Sequence, residues 1–373
     1  MKKQLVTLMT AITVLSTALV GCGAAAADAA PKNTTIETAA AETSETAETA
    51  ETATAASGES ETTSGTDATF PITITHAFGE TVIESQPERI VSLAWANQDT
   101  ALALGIAPVG VSAANYGLMT EHKLHLWTDE AFAALGVTEP NVFNDETGWD
   151  YEAIAACEPD LIIAAYSGFT EEEYQLLSEI APVVPYPETA WKSNWREQTI
   201  INATAMGLKE EGEALVASTD ALIAEKLSAY PELEGKSAAY FWISQDDMST
   251  FYAYLPADPR ASYLNDLGLK TPESILSLAD KSNEFSVTLS RENTDLLNDV
   301  DIMVVYGDEG LLEAMQADPL MNQIPAVANG AVVLIDSTTA LAAATTPSIL
   351  SIPYAIDDYL ALLSEAAKNY DAE

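Results

Sequence analysis

From residue 72 onward the apolar positions fall into two patterns that alternate along the chain. Ile72-Thr73-Ile74-Thr75-His76 switches between apolar and polar side chains, Gly79-Glu80 offers a turn, and Thr81-Val82-Ile83 answers as a hairpin partner. Arg89-Ile90-Val91-Ser92-Leu93 is a short apolar run, followed by a helical stretch from about Gln98 to Leu104 that closes on Gly105. Val109-Gly110-Val111-Ser112 predicts the next strand. Tyr151 to Cys157 predicts a helix stopped before Pro159, and Glu171 to Ile180 another. Leu161 to Tyr166 and Val183-Val184 are continuous apolar strands, the pattern of a parallel sheet covered on both faces. Regular exchange of strand and helix argues for an α/β lobe. The exchange resumes with strands at 237–243, 250–254, 301–306 and 331–335, a helix at 260–267 ended by Gly268, and a last helix at 348–366. Between the two sets, Lys209 to Ser228 places Leu215, Leu222, Ile223 and Leu227 at helical spacing, with no Pro before Pro231. It reads as one long helix joining two lobes.

The first 68 residues behave differently. Lys2 and Lys3 precede a mostly apolar run from Leu5 to Leu19, the length of a signal-peptide core and too short to span a bilayer. Leu19-Val20-Gly21-Cys22 resembles a bacterial lipobox, which implies that Cys22 receives a diacylglycerol and anchors the protein on the extracytoplasmic face of the cell membrane. Residues 22–68 are Ala, Glu, Thr and Ser in loose repeats, with too few large apolar residues to offset chain entropy, and are expected to form a disordered acidic tether. Cys157 then has no partner for a disulfide and sits in an apolar helical stretch as a core residue.

Charge narrows the choice of partner. The chain carries −42, and the stretch from 69 onward carries −36, from 48 acids against 12 bases. Such a balance excludes nucleic acid or an anionic lipid surface as the main partner. It also singles out the few arginines, Arg89, Arg196, Arg260 and Arg291. Arg89, just before a strand, is expected to pair with a local acid.

Several short motifs occur in a telling order. Pro87-Glu88-Arg89-Ile90-Val91-Ser92-Leu93 is followed by Ala101 to Val111, by Glu158-Pro159-Asp160-Leu161-Ile162-Ile163, by Ile180-Ala181-Pro182-Val183-Val184 and by Asn298-Asp299-Val300-Asp301. In this order, behind a lipobox, they resemble the helical-backbone periplasmic binding proteins that serve importers of iron-siderophores, haem and cobalamin. Tyr166-Ser167-Gly168 through Trp191 to Trp195-Arg196 looks most like the ferric-siderophore branch. The resemblance implies two α/β lobes with a ligand cleft between them, joined by one long rigid helix. The chain then divides into a signal peptide at 1–21, the tether at 22–68, a first lobe at 69–208, the connecting helix at 209–230 and a second lobe at 231–373. The implied partners are an ABC permease with its ATPase and a small iron chelate, met by a monomer.

Ligands of open α/β sheets bind outside the carboxyl ends of the strands. The residues that follow the expected strands are Trp95, Asn97, Tyr116, Tyr166, Trp191, Trp195 and Arg196 in the first lobe, and Trp242, Tyr252, Tyr254 and Arg260 in the second. Aromatic faces suit the apolar rim of a siderophore, and guanidinium groups suit its oxygens. In so acidic a protein, few arginines favour a neutral or cationic complex, such as a hydroxamate, over a trianionic catecholate. No resident cofactor or metal is expected, because the iron arrives with the ligand. The resemblance further implies a permease-docking Glu on each lobe. Glu152 in Asp150-Tyr151-Glu152 and Glu292 in Ser290-Arg291-Glu292 occupy those positions, each in a first helical turn where the dipole favours an anion. Rival readings are a haem- or cobalamin-binding protein of the same importer class, with Met119, His122 or a Tyr as haem ligand, and a bare-metal binder through His122 or His125. Two more are an enzyme on the same scaffold and a cell-wall adhesin, whose internal repeats the folded part lacks. Three histidines make a thin metal site, and the sequence holds no nucleophile elbow or phosphate-cradling glycine loop.

Overall fold

Two five-stranded sheets with the same strand order organise the computed structural model, which describes residues 68–145 and 147–372, apart from the side chain of Glu309. The signal segment, Cys22 and the tether through residue 67 lie outside the described residues. A hairpin of β1 (Ile72–His76) and β2 (Gly79–Ile83) precedes the first sheet. That sheet contains β3 (Ile90–Ser92), β4 (Gly110–Ser112), β5 (Val142–Phe143), β6 (Leu161–Ile163) and β7 (Val183–Val184), all parallel, in the order β5-β4-β3-β6-β7. The second sheet contains β8 (Ala238–Trp242), β9 (Thr250–Tyr254), β10 (Ser286–Ser290), β11 (Ile302–Tyr306) and β12 (Val332–Ile335), in the order β10-β9-β8-β11-β12. Here β9 runs antiparallel to both neighbours, so Thr250–Tyr254 can alternate: Thr250 and Tyr252 face solvent while Phe251 and Ala253 are buried.

Helices cover both sheets. In the first lobe they are α1 (Asn97–Ala103), α2 (Leu126–Ala134), α3 (Tyr151–Ala156), α4 (Glu171–Ser178) and α5 (Trp195–Ala205). Next comes α6 (Lys209–Leu227), the long helix expected between the lobes. In the second lobe are α7 (Pro259–Asp266), α8 (Glu273–Ala279), α9 (Glu309–Ala317), α10 (Pro325–Ala328), α11 (Ala340–Ala344) and α12 (Ser351–Asp371). Local chemistry fixes the starts. Thr170 and Glu173 form a reciprocal capping box on α4, Asn194 accepts from the N–H groups of Arg196 and Glu197 on α5, and Asp258 accepts from Arg260 N on α7. The sequence misses α2 because its N-cap position is His125, which makes no capping bond. It starts the last helix early: the helix begins at Ser351 and runs to Asp371, with Pro353 in the first turn, where no N–H is needed.

The long helix leans on α5 through a glycine. A Cβ on Gly212 would lie 2.3 Å from the Ala203 Cβ, so only hydrogen allows this crossing. Elsewhere the lobes meet through the loop after β4. Gly117, at φ 77°, lies against Ala343, and Leu118 N donates to Thr339 O at 3.1 Å. The carboxyl ends of β4, β11 and β12 therefore face one another. Among the described residues no helix is long and apolar enough to cross a membrane.

Candidate binding site

Each sheet reverses its strand order next to its first strand, between β3 and its neighbours β4 and β6, and between β8 and its neighbours β9 and β11. Ligands of open α/β sheets gather in the crevices at such points. In the first lobe this crevice is edged by a strained loop. Ala94 and Ala96 both lie in the left-handed region, at φ 64° and 56°, flanking Trp95. Alanine in that region costs on the order of 1 kcal/mol, so the surroundings must impose it. They do so with hydrogen bonds from Ala94 N to Ser112 Oγ (2.8 Å) and from Gln198 Nε2 to Trp95 O (2.9 Å). The result presents the half-buried Trp95 ring beyond the end of β3.

Three further aromatics complete this wall. Tyr166 stands edge-on to Trp191, with ring centroids 5.3 Å apart. Trp191 is 39% exposed and has φ 60°; its N–H donates to Ser167 O, and its indole lies so close over Gly168 that a Cβ there would sit 2.0 Å from Nε1. Gly168 is thus what lets the indole lie flat on the backbone. Tyr116 meets Tyr306 of the opposite lobe at 5.3 Å, edge to face.

The second lobe offers a matching surface. Trp242, at the end of β8, packs at 5.5 Å on Tyr252, which is 43% exposed. Tyr254 is buried beneath the Arg260 guanidinium, whose carbon lies 4.0 Å from the ring centre. Arg260 also forms a two-pronged pair with the buried carboxylate of Asp258, at 2.9 and 2.8 Å. The pair is therefore close to neutral, and it holds the guanidinium plane against the phenol. Tyr306, which sequence reasoning missed, ends β11, and its hydroxyl shares Thr345 Oγ1 with that of Tyr240, at 3.2 and 3.1 Å. The rule applied to Tyr166 after β6 would have found it.

Three expected ligand residues are committed elsewhere. Asn97 is fully buried: its amide donates to the carbonyls of Leu93 (2.8 Å) and Tyr166 (3.0 Å), and its oxygen accepts from Tyr166 N (3.1 Å) and Asn202 Nδ2 (3.0 Å). It staples the loops after β3 and β6 to α5. Trp195 is only 1% exposed, and its Nε1 donates to Asp266 Oδ2 at 2.9 Å. Arg196 lies over the Trp195 ring and spans Asp220 and Asp266, so its charge is already met by two carboxylates. Arg89 likewise departs from expectation. Its guanidinium donates to the carbonyls of Cys157 and Glu158, closing the carboxyl end of α3, while its own N–H goes to Asp160. Cys157 is buried, as its pattern suggested, and burial raises its thiol pKa.

The histidines do not form a ligand set. His122 Nδ1 pairs with Asp129 at 2.8 Å, which raises its pKa. His125 is 3% exposed, and burial drives its pKa down to about 4. Among the described residues no group of three or more His, Cys, Asp or Glu side chains is gathered to hold a metal ion. Glu152 and Glu292 are both exposed at element starts, the first after the Asp150 cap and the second in a 3-10 segment, Arg291–Leu297, capped by Ser290.

Known proteins share this architecture. A probable siderophore-binding lipoprotein of Bacillus subtilis is 27% identical over 256 residues, spanning 66% of this chain and 72% of its own. The Fe(3+) dicitrate-binding periplasmic protein of Escherichia coli is 27% identical over 282 residues, 72% of this chain and 86% of its own. The crystal structure of PiaA from Streptococcus pneumoniae in complex with ferrichrome is 43% identical, with a TM-score of 0.77 over 80% of this chain and 99% of that one. The profile of the periplasmic binding proteins matches residues 90–339, from β3 through the loop that follows β12, so the chain belongs to the periplasmic binding protein family.

Proposed function

We propose that this protein is an extracytoplasmic solute-binding lipoprotein that captures a ferric siderophore and delivers it to an ABC permease and its ATPase. The observation that carries this reading is the pair of aromatic walls at facing strand ends. Trp95, Tyr116, Tyr166 and Trp191 stand on one lobe, and Trp242, Tyr252 and Tyr306 on the other, where Tyr254 backs the Arg260 guanidinium. The structurally similar ferrichrome-bound protein and the siderophore-binding relatives support it. Arg260, buried behind the second wall, has its charge offset by Asp258. A cleft so nearly neutral, in so acidic a protein, suits an uncharged ferric trihydroxamate better than a trianionic tricatecholate. Lipid attachment at Cys22 and docking through Glu152 and Glu292 complete the proposal. Rim carboxylates of that kind chiefly set encounter rate and orientation.

The test is a tryptophan-fluorescence titration with ferric trihydroxamate, ferric tricatecholate, haem and cobalamin. The hydroxamate should quench most strongly, and Trp191→Ala should weaken its binding about tenfold, the loss of one stacked aromatic contact. A Soret band from stoichiometric haem, with no response to either ferric chelate, would sink the siderophore reading. In cells, Cys22→Ser should release the protein from the membrane, and Glu152→Ala with Glu292→Ala should impair uptake without changing affinity.

A further inference from the structure

His125 is sealed beside the candidate site, yet no step of ligand capture uses it. Its ring lies 4.7 Å from Trp127, nearly parallel at 26°, and 5.1 Å from Trp95. Its Nε2 is 3.1 Å from Tyr116 O. A carbonyl can only accept, so Nε2 carries the proton. The other nitrogen, Nδ1, is buried without a hydrogen-bond partner. That arrangement is costly. A bare acceptor shut away from water opposes folding, and a phenyl ring would fill the same slot without that cost. What a phenyl ring cannot supply is the N–H bond to Tyr116.

That bond acts at the tip of a loop whose base is tied by Ala114 N to Lys123 O at 2.8 Å and by Thr120 N to Leu124 O at 2.9 Å. Tyr116 is followed by Gly117 in the left-handed region, and the segment then reaches across to Thr339 and Ala343 of the second lobe. A bridge between Met119 and His125 reinforces the base of the loop. Trp127 is itself fixed, because its Nε1 donates to Asp99 Oδ2 at 2.9 Å. It therefore serves as a rigid back plate for the imidazole.

We infer that His125 is a positioning residue for ligand capture: its ring braces Trp95 against Trp127, and its Nε2–H holds the carbonyl of Tyr116, so one side chain sets two cleft aromatics of the first lobe. The ligand-facing part of this assignment rests on the siderophore reading above; the loop-holding part does not.

The experiment compares the purified parent with His125→Phe and His125→Gln by thermal melting, by hydrogen–deuterium exchange over residues 113–120, and by titration with a ferric trihydroxamate. His125→Phe should melt at or above the parent temperature while exchange in 113–120 quickens and affinity falls about five- to tenfold, the worth of one hydrogen bond. His125→Gln keeps an N–H donor near the Nε2 position but loses the ring. It should melt lower, protect 113–120 better than the Phe variant does, and recover part of the affinity. Parental exchange and parental affinity in His125→Phe would overturn the inference. So would a lower melting temperature with exchange quickened evenly throughout the protein, which would make His125 a packing residue. If the parent binds none of the iron ligands, the siderophore reading fails, and the exchange in 113–120 still decides whether His125 holds the loop.

Discussion

Among the ties between the two lobes, two are built on opposite principles. Asp99 of α1 is fully buried and meets only neutral donors: Trp127 Nε1 at 2.9 Å, Thr128 Oγ1 at 2.8 Å and, from the second lobe, Ser348 Oγ at 2.5 Å. Arg196 of α5 is one-third exposed and, over the Trp195 ring, spans two charges, Asp220 of α6 and Asp266 of α7. The first tie is directional and hidden from salt. The second is electrostatic and open to it. Lobe geometry is thus held by interactions that respond to different conditions, and each can be probed without disturbing the other.

The largest effect should come from Asp99→Ala, which strands buried donors on four side chains from both lobes, those of Gln98, Trp127, Thr128 and Ser348. A loss of about 3 kcal/mol is expected, with a fall in melting temperature of roughly 5 °C. A loss below about 1 kcal/mol would mean that the buried tie is not holding the lobes.

A pH series sharpens the same comparison. Burial raises the Asp99 pKa from 3.8 to about 6, against the lowering effect of its hydrogen bonds, so the folded state favours its proton. Its contribution is greatest below the unfolded value and is lost as pH rises through about 6. His125 behaves oppositely. Burial lowers its pKa from 6.5 to about 4, so its contribution is intact above 6.5 and is lost as pH falls toward 4. Between pH 7 and 5 the two should largely cancel. In Asp99→Asn acidification should cost about 1 kcal/mol more than in the parent, and in His125→Phe about 1–2 kcal/mol less, by denaturant titration at each pH. Identical pH slopes in all three proteins would contradict both assignments.

Arg196→Ala should cost about 1–2 kcal/mol at low salt, discounted for its exposure, and the deficit should shrink in 1 M salt, roughly the screening limit for such pairs. A deficit that ignores salt would make Arg196 a packing residue over Trp195. The smallest effect belongs to Lys192, whose Nζ reaches the exposed carbonyl of Asn283 between the lobes. Lys192→Ala should shift stability by less than about 0.5 kcal/mol.

The sheets and the long helix were legible because their signals are local. Leu161-Ile162-Ile163 is apolar on both faces, and Lys209–Leu227 has neither Pro nor a Gly beyond Gly212. The candidate walls were legible in part because strand ends announce them: Trp95, Tyr166 and Trp242 follow directly from where strands stop. Trp191 and Trp195 show where the reading failed. They are four residues apart with the same side chain, yet one lies open over Gly168 and the other lies in the core. The Asn194 cap starts α5 between them, and from there the helix turns Trp195 inward toward Asp266. Arg196 was misassigned for the same reason, since its two acids are 24 and 70 residues away in sequence. Asp99 drew no notice, because nothing near it in sequence reveals that Ser348 will meet it.

The contact between Gly212 and Ala203 has a mechanical consequence. Where the Ala203 methyl meets a bare Cα there is no long side chain to repack, so the long helix is seated on the first lobe as a bracket rather than a joint. Such a bracket should keep the width of the gap nearly constant whether or not it is filled, an outcome that X-ray scattering of the free and loaded protein would check. Selection then resembles a gauge: a chelate of the right girth meets both aromatic walls at once, and one that is too small is held by only one of them.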